Sequence, residues 1–104
     1  MNEFCMIFTT AADAAQAQKI ADAMLASRAA ACVQQIPINS SYNWHGKIEN
    51  ASEILLQIKT RTELFGQCEK IIHKNHTYET PQIIAIPIIA GSADYLGWIK
   101  EETK

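Results

Sequence analysis

Residues 30–60 read AACVQQIPINSSYNWHGKIENASEILLQIKT, and how this stretch folds decides the rest. AACVQQIPI (30–38) is a run suited to extended backbone. It continues through NSSYNW to His45-Gly46, a tight-turn dipeptide, because glycine takes positive φ without steric cost. A return strand starts at Lys47 and passes through EILLQIKT (53–60), so the stretch predicts one long hairpin. Pro37 has no N–H to give to a ladder and predicts a bulge or a sheet edge.

Elements on either side of the hairpin follow from periodicity. Residues 3–10, around FCMIF, predict a strand. Asp13 and Gln16 have capping-box spacing, and Ala17, Ile20, Ala21, Met24 and Leu25 repeat as one helical stripe, which predicts a helix over 13–27. Beyond the hairpin, Thr60 and Glu63 predict a second capping box. Leu64, Cys68, Ile71 and Ile72 mark a helix over 63–74. HTYETP (76–81) is the connection, since Pro81 stops a helix, and QIIAIPII (82–89) is the fourth strand. Gly91-Ser92 ends it, with Ser92 capping a last helix that carries Tyr95, Trp98 and Ile99.

The order β-α-β-β-α-β plus a C-terminal helix predicts an α+β, ferredoxin-like single domain over residues 1–104. It has a four-stranded antiparallel sheet and two helices on one face. A one-sided cover calls for strands that alternate, yet EILLQIKT and QIIAIPII are apolar at both parities. At about 25 cal/mol per Å², leaving several such side chains in water costs several kcal/mol. The predicted cover for the second face is another copy of the chain.

Composition narrows the function. The 104-residue chain carries a formal net charge of −2 and no basic block, which argues against a nucleic-acid or anionic-membrane surface. The central strand SEILLQIKT offers no aromatic on which a base could stack. The start MNEFCMIFTT has no positive n-region, and the expected location is the cytoplasm. Cys5, Cys32 and Cys68 are odd in number and widely spaced, which predicts three buried free thiols. No dinucleotide, P-loop or zincin motif is present, and neither Cys5 nor Cys68 has the electropositive setting of a nucleophile.

Two sets of residues remain as candidates. His73 and His76 are three apart, with Cys68 about a turn earlier, and such side chains suit soft transition metals. The alternative is an exposed His73, a loop His76 and a core Cys68. The second set is aromatic and charged: Trp44, Lys47 and Glu49 around the hairpin tip, Lys59 late in the third strand, Tyr78, Glu79 and Thr80 before the fourth, and Tyr95 and Trp98 on the last helix. Such residues suit a small-ligand cleft or a subunit interface.

AACV (30–33), YNWHGKIE (42–49), QIKT (57–60), HTYETP (76–81) and GSADYLGWI (91–99) together resemble the CutA family, the divalent-cation tolerance proteins. The resemblance covers nearly the whole chain. It implies a homotrimer similar in architecture to the PII signalling proteins, with hairpins reaching neighbouring subunits and clefts between them. It implies a non-enzymatic role in the response to metal ions, with Cu²⁺ or another divalent cation as a possible ligand. In some members a cysteine ending the first strand and two adjacent histidines before Pro-Tyr are the proposed copper ligands. Those positions hold Thr9 and Asn75-His76 here, followed by Thr77, so His76 is the one retained, with Glu79 and Tyr78 nearby. Gln82 replaces the usual glutamate after Pro81, and Cys32 matches a packed core position. The other readings are a PII-like trimer that takes a small anionic ligand through Lys47 and Lys59, and a trimer whose aromatics only pack.

Overall fold

β1 (Phe4–Ala11) is the strand around which the sheet is built, and its alternation separates two faces. The computed structural model describes residues 2–104. The sheet order is β2-β3-β1-β4, all antiparallel, with β2 (Cys32–Trp44), β3 (Lys47–Arg61) and β4 (Ile84–Pro87). Three helices join them: α1 (Ala14–Ala26), α2 (Phe65–Asn75) and α3 (Ala93–Glu102). This is the predicted α+β architecture with its extra terminal helix.

On the first face, Cys5, Ile7 and Ala11 of β1 and Leu56 and Ile58 of β3 form one buried cluster with Ala17, Ile20 and Met24 of α1 and Cys68 and Ile72 of α2. Val33 and Ile83 pack against its border. The second face carries the opposite parity. Met6 lies beside Lys59 and Ile86, Phe8 beside Gln57 and Ile84, and Leu55 beside Thr10 and Ile36. No helix of the α1–α2 layer reaches these residues. α3 covers one end: Lys59 lies over the Tyr95 ring, and the Arg61 guanidinium donates to the Thr103 hydroxyl at 2.8 Å and carbonyl at 3.1 Å.

Helix ends follow local chemistry in two of three cases. Asp13 caps α1 by accepting from the Gln16 N–H at 2.9 Å, and Ser92 caps α3 by accepting from the Tyr95 N–H at 3.3 Å. The Thr60–Glu63 capping box does not form. β3 runs on to Arg61, opposite Phe4, so Thr60 is still in the ladder and its buried hydroxyl donates to the Ala29 carbonyl. A 3₁₀ turn (Thr62–Leu64) then leads into α2 without a side-chain cap. β4 is also shorter than the predicted 82–89: it pairs with β1 from Ile84 opposite Phe8 to Pro87 opposite Cys5.

Two non-glycine residues hold positive φ. Arg28 (φ 60) ends α1, and its guanidinium donates to the carbonyls of Glu101 and Glu102 at the C-terminal end of α3. The charge sits where the helix dipole favours a cation, which offsets backbone strain. His45 (φ 51) and Gly46 (φ 77) form the two-residue turn between the paired Trp44 and Lys47. Positive φ at both positions is the type I′ geometry that matches strand twist. Pro37 lies on the edge strand β2, opposite Ile54, in a register without a bulge.

Open space surrounds the Gly46 α-carbon, so a side chain there would strain only the backbone. Gly46→Ala is expected to lower unfolding stability by about 1 kcal/mol, the cost of the left-handed region for a residue with Cβ. Urea unfolding of the two proteins side by side checks it.

Candidate functional site

β3 is longer than β1, and the difference opens a cleft. β1 ends at Ala11 opposite Ile54, so β2 and β3 continue from Glu53 to the turn as a two-stranded ribbon. Where the sheet narrows to two strands, a cleft of about 610 Å³ opens. By strand parity its walls belong to the second face: Thr10 of β1, Glu53 of β3, and Ser40, Tyr42 and Trp44 of β2. The α2–β4 connection closes the remaining side with Tyr78, Glu79, Thr80 and Gln82.

His76 pins that connection. Its Nε2 lies 2.6 Å from the Thr10 carbonyl oxygen, and its Nδ1 lies 3.1 Å from the Tyr78 amide nitrogen. A carbonyl only accepts, so Nε2 carries the proton; an amide N–H only donates, so the Nδ1 lone pair is taken. The ring also stacks at a tilt on Tyr78, with centroids 4.6 Å apart. Tyr78 then donates its hydroxyl proton to Glu53 Oε2 at 2.7 Å. Burial pushes the Tyr78 hydroxyl well above the usual tyrosine range, and the Glu53 hydrogen bond and negative charge add to the rise.

A copper ion does not fit the donors at the implied positions. The His76 lone pair is occupied. Asn75 donates to the Ile71 carbonyl at 2.9 Å. Thr9 is buried at a first-face position, turned from the cleft, with its hydroxyl lacking a partner among the described residues. No three His, Cys, Asp or Glu side chains come together as a metal site among the described residues. His73 is exposed on α2, and Cys68 is in the core. All three cysteines are free; Cys5 and Cys68 are buried as predicted, whereas Cys32 is half-buried at the edge. Burial pushes the Cys68 thiol up to about 12, with Cys5 nearby adding to the rise, and raises Cys5 as well. Neither is poised as a nucleophile.

The predicted aromatic and charged set does not gather in one place within the chain. Trp44, Tyr78, Glu79 and Thr80 line the cleft. Lys47 and Glu49 are exposed on the ribbon, opposite Trp44 and Tyr42. Lys59, Tyr95 and Trp98 form a separate cluster, with the Lys59 ammonium 5.2 Å from the Tyr95 ring centroid and the two aromatic centroids 5.6 Å apart. Lys59 and Glu53 share a face of β3, about 20 Å apart at strand rise. Sequence reading missed Thr10, Ser40, Ser41, Tyr42 and Glu53. The available signal was Glu53 itself, a carboxylate at the same parity as Leu55 on an apolar face.

Tyr78→Phe removes the donor to a buried carboxylate and is expected to cost about 1–3 kcal/mol near neutral pH. A raised folded-state pKa contributes stability below the unfolded value of about 10 that is lost as pH climbs above it. The Phe variant should therefore lose less stability than the parent chain above that pH. Denaturant unfolding at a series of alkaline pH values measures both effects.

Residues 5–102 match the family model of the CutA1 divalent ion tolerance protein. The divalent-cation tolerance protein CutA of Archaeoglobus fulgidus is 42% identical over 95 residues, which cover 91% of this chain and 93% of that protein. The chloroplastic protein CutA of Arabidopsis thaliana is 38% identical over 100 residues; the match takes in 95% of this chain but 55% of that protein, so the chain spans about half its length. The solved structure of the periplasmic divalent cation tolerance protein CutA from A. fulgidus superposes with a TM-score of 0.95 at 40% identity, covering 97% of this chain and 99% of that one. CutA1 from Oryza sativa gives 0.95 at 34% identity, covering 99% and 95%. With the fold, the motifs and these relatives in agreement, the chain belongs to the CutA1 divalent ion tolerance protein family.

Proposed function

We propose that this protein works as a non-enzymatic homotrimer whose second sheet faces pack together and whose clefts, at the subunit borders, bind a small ligand. One observation carries the reading. Ile36, Ile84 and Ile86 are 40%, 46% and 41% exposed on the lone chain, side by side with Met6, Phe8 and Leu55 on one continuous face. At about 25 cal/mol per Å², covering that face is worth several kcal/mol per chain. Ile89, 84% exposed, adds apolar surface beyond β4, whereas Ile48, 76% exposed, lies on the other face of the ribbon. The exposed edges of β2 and β4 offer further backbone pairing between copies. In such an assembly the Lys59–Tyr95–Trp98 cluster of one copy would meet the Trp44–Tyr78–Glu79 cleft of another. The free thiols suit a reducing compartment such as the cytoplasm.

Divalent-cation tolerance, the role that names the family, then rests on something other than a tight copper centre at His76. Glu53 and Glu79 are the donors the cleft offers, and two carboxylates favour weak binding of hard ions over capture of copper. The small-anion reading relied on Lys47 and Lys59, neither of which lines the cleft of its own chain.

Light scattering at micromolar concentration is expected to give three times the chain mass, and Ile86→Lys a monomer or aggregate. A stable parent monomer would refute the assembly. Calorimetric titration with Cu²⁺ is expected to give weak binding that His76→Ala leaves unchanged, while the variant unfolds about 1–3 kcal/mol more easily. Tight Cu²⁺ binding abolished by that change would restore a copper role.

A further inference from the structure

We infer that closure of the assembly pairs the Glu53 carboxylate of one copy with the Lys59 ammonium of the next, so that a second chain completes the cleft. The inference rests on the proposed reading of the second face as the surface where copies meet, and names the contact that sets their register. It starts from where the strands put charge. β1, β2 and β4 contain no Asp, Glu, Lys or Arg, whereas β3 contains Lys47, Glu49, Glu53, Lys59 and Arg61. All five share the parity of Leu55, so every charge on the sheet stands on the second face. Three are accounted for within the chain: Lys47 and Glu49 are exposed towards the ribbon tip, and Arg61 pairs with Glu63. Glu53, 8% exposed, and Lys59, half-buried, remain at opposite ends of the apolar strip.

These two cannot meet inside one chain, since about 20 Å separates them along β3 at strand rise. Neither forms an ion pair among the described residues, where the pairs are Arg61–Glu63 and Lys100–Glu3. Both are held in place. Tyr78 donates to one Glu53 oxygen at 2.7 Å, and Lys59 lies over the Tyr95 ring. The other Glu53 oxygen opens into the cleft, because the buried side-chain oxygens without a partner among the described residues belong to Thr9 and Thr62. Water serves it in the lone chain, and no charge is stranded until a second copy covers the face. Covering removes that water, and each charge then needs its opposite beside it. A cyclic assembly repeats one head-to-tail contact, in which one end of the face meets the other end of the next copy. The carboxylate end thereby meets the ammonium end at every border, whereas a head-to-head contact would set like charges together. With Glu53 engaged, Glu79 is the carboxylate left for the weak ion binding proposed above.

The test uses the full chain and light scattering over a dilution series, which reads the concentration at which half the assembly has come apart. Glu53→Lys and Lys59→Glu should each raise that concentration at least about tenfold. Glu53→Lys combined with Lys59→Glu should recover most of the loss, because the same two charges face each other in reverse. Where circular dichroism shows that a reversed charge unfolds the chain, Glu53→Gln and Lys59→Gln take their place, and Glu53→Gln keeps an acceptor for Tyr78. The two neutral changes together should raise the concentration by less than the product of their separate factors. Absence of rescue, or factors that simply multiply, overturns the inference, as does rescue of Lys59→Glu by Glu79→Lys instead. If Glu53→Lys weakens the assembly while Lys59→Glu assembles like the parent, something other than Lys59 covers Glu53, and the inference is again overturned. The parent chain judges the assembly itself: a trimer without rescue refutes this inference alone, a dimer with rescue refutes the trimer alone, and a monomer refutes both.

Discussion

The structure depends on a mismatch of strand lengths. β1 has eight residues and β3 has fifteen, so the central ladder stops at Ala11–Ile54 while the β2–β3 pairing continues to the His45-Gly46 turn. A ribbon of two strands cannot bury both of its faces, and the residues along it become cleft wall or exposed arm. The point where the ladder ends is where Glu53, Thr10 and Tyr42 come within reach of the α2–β4 connection. A β1 longer by a few residues would fill that space with backbone, and the cleft would vanish.

The connection is held to that point by a short relay. His76 bridges the Thr10 carbonyl and the Tyr78 amide, and the Tyr78 hydroxyl donates a hydrogen bond to Glu53. Each donor meets an acceptor, so the loop satisfies its buried polar groups by closing on the sheet. Position 76, where a metal ligand is implied by the resemblance, holds the loop that shapes the pocket. The cost of this arrangement falls on chemistry: an imidazole with both nitrogens engaged is not available to a metal unless the loop lets go.

The far end of the chain uses the same logic with different partners. Arg28 and Arg61, from α1's end and β3's end, hold the last turn of α3 through the carbonyls of Glu101, Glu102 and Thr103. Their charges lie at a helix C-terminus, where the dipole favours them. This clamp places Tyr95 beside Lys59 on the second face, so both ends of that face present aromatic and charged groups, with the apolar strip between them.

Much of this was legible in the sequence. Binary patterning fixed the element order, His45-Gly46 placed the hairpin turn, Asp13 and Ser92 marked helix starts, and the double-parity apolar runs in β3 and β4 foretold a second greasy face. These are local properties: a strand's faces alternate and a turn demands positive φ whatever surrounds them. What the tertiary structure decided was nonlocal. It kept Thr60 in the ladder and so denied α2 its cap, because register with β1 outweighed a capping hydroxyl. It divided the aromatic and charged set between two ends of one face. And it joined Glu53 to Tyr78 and closed both nitrogens of His76, since a hydrogen bond between residues 25 or 66 positions apart leaves no periodic trace in the chain.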